Sequence, residues 1–72
     1  MGVLEDLADT LAKDAIDAYE KLGDEDILNE VAKQLGATST TMEETYLTSI
    51  RIRLSERRAR LYLERRVKEA EG

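Results

Sequence analysis

The chain has no Cys, His, Pro, Trp or Phe, and three Tyr are its entire aromatic complement. Without Cys there is no disulfide framework, no thiolate nucleophile and no thiolate-ligated zinc or iron–sulfur site. Without His, the commonest general base and the commonest metal ligand are also gone. Without Pro, Gly is the main residue left to stop a helix sharply. Long apolar runs are missing too. The longest is Leu61, Tyr62 and Leu63, far short of the ~20 residues that span a bilayer, so no membrane association is expected.

What remains is a chain of 72 residues, 42% hydrophobic and 38% charged, a globular rather than a disordered balance. A single core in so short a chain rarely supplies more than ~3–5 kcal/mol, and small proteins usually add a staple. Disulfides and zinc are excluded by composition, which leaves oligomerisation. The first twenty residues carry Glu5, Asp6, Asp9, Asp14, Asp17 and Glu20. A signal peptide needs a basic start and an unbroken apolar stretch, and this segment has neither. A Cys-free chain suits a reducing compartment, and the expected location is cytoplasmic.

Internal Gly occurs only at Gly23 and Gly36, each after an apolar residue that ends a helical pattern, Leu22 and Leu35. Gly adopts the left-handed conformation that closes a helix without a side-chain clash. Two such stops predict three helices, and the expected fold is an all-α three-helix bundle forming one domain over residues 1–72. The first helix is expected at about 3–22, where Leu4, Leu7, Leu11, Ala15, Ala18 and Leu22 recur at spacings of three and four, with Ala8, Ala12 and Tyr19 widening the stripe. Asp9 with Lys13, and Asp17 with Lys21, are acid-first pairs four apart. The second helix is expected at about 25–35, with Asp24 as its N-cap and Ile27, Leu28, Val31, Ala32 and Leu35 as its apolar face. The third is expected at about 41–70, opened by a capping box of Thr40 with Glu43 or Thr41 with Glu44. At ~1.5 Å per residue the three would span roughly 30, 18 and 43 Å. The third helix should therefore overhang the short hairpin made by the first two.

Turning ~100° per residue, the third helix carries two apolar stripes. Tyr46, Leu47, Ile50, Leu54 and Leu61 share one side and suit packing against the hairpin. Ile52, Ala59, Leu63, Val67 and Ala70 share another. A helix apolar on two faces needs two partners, and a short hairpin is poorly placed to reach Leu63 and Val67. The expectation is an oligomer, most simply a homodimer, or a docking face for another protein, built on Ile52, Ala59, Leu63 and Val67. Arg57 and Glu64 fall on the alternate seam of the Leu47–Leu54–Leu61 heptad, which argues against a long standard coiled coil.

The formal charge of −5 conceals a division. Twelve acids and three bases fall in residues 1–47, whereas four acids and eight bases fall in residues 48–72. The basic patch comprises Arg51, Arg53, Arg57, Arg58, Arg60, Arg65 and Arg66, together with Lys68. Glu56 with Arg60, and Glu64 with Lys68, would neutralise part of it. Three readings are open: pairing with acids of the first two helices, contact with an acidic protein partner, or phosphate contact with nucleic acid.

The stretch LNEVAKQLGATSTTMEETY, Leu28 to Tyr46, places Val31 and Ala32, then Leu35, Gly36 and Ala37, then Met42 at apolar, small and turn positions. It resembles the helix-turn-helix DNA-binding pattern over about a quarter of the chain. The resemblance implies a small DNA-binding regulator using helices 2 and 3. Thr45 departs from it where a further apolar residue is favoured. The start of the would-be recognition helix offers Ser39, Thr40, Glu43 and Glu44, with no base before Arg51.

Asp24, Glu25 and Asp26 lack the ligand spacing of a calcium loop and are expected to cap a helix. No Gly-rich phosphate loop or nucleophile–base pair is visible. The expected function is therefore non-enzymatic, without cofactor or metal: a protein–protein interaction or regulatory module acting through helix 3.

Overall fold

The computed structural model describes residues 2–72 and forms three helices: α1 (Val3–Leu22), α2 (Asp26–Gly36) and α3 (Thr40–Glu71). No strand occurs among the described residues. α1 and α2 form a short hairpin, and α3 packs against both, more extensively against α1. No helix is long and apolar enough to cross a membrane.

α1 ends where Gly23 takes φ 69 and ψ 23, and its N–H donates to the Tyr19 carbonyl at 2.8 Å. This is the only positive φ among the described residues. The Asp24 carboxylate accepts from the Asp26 N–H at 3.0 Å, so the turn is held by the side chain expected to cap α2. Gly36 behaves differently from the expectation. It is the last residue of α2, its φ is not positive, and Ala37 follows in right-handed conformation. A Cβ at Gly36 would meet Glu43 Oε1 at 2.8 Å, but this is the tip of a flexible side chain that can swing aside, so neither φ nor backbone packing requires Gly here. The third helix is opened by Ser39, whose Oγ accepts from the Met42 N–H at 3.1 Å. The cap is thus one residue ahead of the expected Thr40, or two ahead of Thr41. Extended φ and ψ at Ser39 aim its hydroxyl at the third amide, as an N-cap requires.

The core consists of Ala8, Ala12, Ala15, Ile16, Leu28, Ala32, Tyr46 and Ile50. On α1 it lies to one side of the leucine stripe: Leu7 and Leu22 are exposed, whereas Ala8 and Ala12 have no exposure. Small side chains at 8, 12 and 15 leave room for the large phenol of Tyr46 between the helices, so packing selects the alanine edge. Ile16, outside the expected stripe, fills the same layer. On α2, Leu28 and Ala32 are buried and Ile27, Val31 and Leu35 flank them.

The Tyr46 hydroxyl donates to the Leu28 carbonyl at 2.8 Å inside this core, and burial pushes its pKa up. The phenol therefore stays neutral and its donor is satisfied. Tyr46→Phe should lower stability by about 0.5–1.5 kcal/mol without loss of helix. The check is the urea midpoint at fixed protein concentration; an unchanged midpoint would show that this bond contributes nothing net.

Candidate interaction surface on the third helix

α3 has 32 residues against 20 in α1. At ~1.5 Å per residue it is ~48 Å long, close to the 51 Å long axis of the whole molecule. Its first half is covered: Tyr46 and Ile50 are buried, and Met42, Leu47 and Leu54 pack against the core. Cover stops near Arg57, whose guanidinium donates to Glu20 close to the end of α1. Every residue from Arg58 onward is exposed. The reason lies in Gly23, which turns the hairpin back while α3 continues.

Leu61 therefore does not pack on the hairpin as its stripe suggested. It is 58% exposed, at the rim of a cleft of about 560 Å³ that it shares with Tyr19, Leu28, Leu54 and Arg57. The second stripe is uncovered along its length. Ile52 is 64% exposed, Leu63 59% and Val67 49%, and Ala59 is exposed between them. Glu56, Ala59, Arg60 and Leu63 line a shallow hollow of about 210 Å³ on this face. A separate groove of about 350 Å³ runs between α1 and α3, with Ile16 and Ile52 along it and Asp9, Lys13 and Glu56 at its edge.

The basic residues do not form one surface. Arg53 donates Nε and Nη2 to the two Asp9 carboxylate oxygens at 2.8 and 2.7 Å, and Arg57 pairs with Glu20. Both thus fasten α3 to α1. Arg60 donates to Glu56 at 2.9 Å. Arg65 lies 5.7 Å above the Tyr62 ring, and Arg66 contacts the Tyr62 hydroxyl at 3.5 Å and Glu69 at 3.8 Å. Arg51 and Arg58 are exposed and make no ion pair among the described residues. Tyr62 has no part in either apolar stripe, yet it organises two arginines; its spacing of three and four from Arg65 and Arg66 is the signal that would have found it.

The acid-first pairs of α1 are replaced. Asp9 goes to Arg53 rather than Lys13, and Lys13 goes to Asp17 at 3.2 Å. A bidentate guanidinium contact across two packed helices outcompetes a flexible ammonium on an exposed face. No three acidic side chains converge to hold a cation among the described residues.

In the region resembling a helix-turn-helix, Ala32 is buried and Val31, Leu35 and Met42 are partly buried. Thr45, the departing position, donates its hydroxyl to the Thr41 carbonyl at 2.9 Å. The first turn of α3 exposes Thr40, Thr41 and Glu44, and Arg51 lies ~16 Å further along the helix.

Hydrogen bonding from Arg53 holds the Asp9 carboxyl below its ordinary value of 3.8. A carboxyl depressed by folding stabilises the fold above its unfolded pKa, and that stabilisation disappears as pH falls through the folded value. Asp9→Asn should accordingly lower the melting temperature at neutral pH, and the gap from the parent should close as pH drops below 3.8. A pH-independent gap would mean that Asp9 acts by packing alone. No family model matches this chain, and no curated protein or solved structure is similar enough to match it.

Proposed function

We propose that this protein is a non-enzymatic interaction or regulatory module that works by self-association through α3. The observation that carries the reading is the apolar face of Ile52, Ala59, Leu63 and Val67, which no other part of the described chain covers. Burying one Leu or Val side chain fully is worth about 1.5–3 kcal/mol, so leaving several in water is costly in a chain this small. Residues 58–71 are all exposed and extend α3 beyond its packed half, with Arg58 and Leu61 at the rim of the cleft against α1 and α2. A second copy supplies cover for the face and support for the helix together.

Two other partners fit less well. An acidic protein would need free cations on one surface, but Arg53 and Arg57 are engaged by Asp9 and Glu20. DNA read by α2 and α3 would meet Glu43 and Glu44 in the first turn of α3, and the molecule as a whole carries −5. A chain without Cys suits the reducing cytoplasm.

Sedimentation analysis should give the mass of a dimer for the parent chain. Leu63→Asp should give a monomer with unchanged packing of α1, α2 and the first half of α3, because Leu63 is exposed and stands outside the packed core. A parent chain that remains monomeric at all concentrations, with Leu63→Asp indistinguishable from it, refutes self-association.

A further inference from the structure

The hollow on α3 has a specific shape. Its lining residues, Glu56, Ala59, Arg60 and Leu63, stand at i, i+3, i+4 and i+7. That is the spacing of the four residues that form one hole in knobs-into-holes packing. The methyl side chain of Ala59 leaves the hole open, and its centre lies level with residues 59–60. The nearest large apolar side chain on the same face is Leu63, about one turn away.

We propose that two copies of this chain pair antiparallel along the second halves of α3, with a two-fold axis level with residue 61, so that each Leu63 enters the hole around the other copy's Ala59. This rests on the self-association reading and adds its direction and register. In that register the hole formed by Leu63, Arg66, Val67 and Ala70 faces the other copy's Glu56. A carboxylate that interrupts the apolar line is thereby placed against a guanidinium. Ile52 meets the other copy's Val67 and Ala70, where the groove floored by Ile16 and Ile52 opens.

The parallel arrangement fails on both counts. It sets Ala59 against Ala59, leaving the hollow unfilled, and Glu56 against Glu56, bringing two carboxylates together in a desolvated seam. Level pairing in this register also sets Arg58 of one copy beside Glu64 of the other, whereas parallel pairing sets each charge beside its own kind.

The absence of Cys makes a clean cross-linking test possible. A disulfide needs Cα atoms within ~7 Å. In the proposed register Ala59 faces Leu63 of the other copy, whereas identical positions are offset along the axis by ~5–7 Å on helices ~8–10 Å apart. Ala59→Cys mixed with Leu63→Cys should therefore form a disulfide-linked heterodimer on oxidation, and each variant alone should not cross-link. Charge reversal gives a second readout that does not alter Leu63. Glu56→Arg and Arg66→Glu should each weaken the dimer by about tenfold or more, and the double variant should recover most of that loss. If each Cys variant links to itself and the mixture does not, or if the double reversal compounds the loss, the antiparallel register is wrong while self-association stands. If the parent chain is a monomer by sedimentation, both fall together.

Discussion

Gly23 is the residue on which the architecture turns. Its left-handed conformation ends α1 after 20 residues, and the furthest side-chain bond along α3 to α1 among the described residues is that of Arg57 to Glu20. Nothing comparable interrupts α3 before its end at Glu71. The mismatch divides α3 into a packed half and a bare half. The packed half rests on a core of eight buried residues, four of them Ala. Such a core makes close helix contact but removes little apolar area from water. The half that lacks cover still carries Leu61, Tyr62, Leu63 and Val67, all about half exposed or more.

Electrostatics marks the same boundary. Arg53 and Arg57 take carboxylates of α1, Asp9 and Glu20. Beyond them, Arg60 and Arg66 settle for acids on their own helix, and Arg65 settles on the Tyr62 ring. These local pairs are exposed and individually weak, so they can be exchanged for contacts with another molecule at small cost. The bare half is thus a helix whose apolar and charged groups have only temporary partners in the monomer.

Much of this was legible in the sequence. Spacings of three and four placed α1, Gly23 placed its end, and helix arithmetic placed an overhang on α3 and a second apolar face on it. The misses share a cause. Leu7 and Leu22 are stronger hydrophobes than Ala8 and Ala12, yet the alanine edge is buried, because a close helix contact around Tyr46 needs small side chains. Leu61 shares an angular face with Ile50 and Leu54 but lies only at the rim of the cleft where the hairpin ends; angle is local, whereas cover depends on where another element stops. Asp9 has a local partner at Lys13 and takes Arg53, 44 residues away, a choice visible only once α1 and α3 are packed. Gly36 follows an apolar residue as Gly23 does, but α2 ends there without a left-handed φ.

The central claim is that the second half of α3 owes its support to another molecule of the same kind. Amide hydrogen exchange across protein concentration tests it most directly, because an exposed helix end frays far more often than a packed segment opens. Amides of residues 58–71 should exchange rapidly in dilute solution and gain protection as concentration rises, while those of the packed core around Tyr46 and Ile50 change much less. Exchange in residues 58–71 that does not depend on concentration would contradict the account.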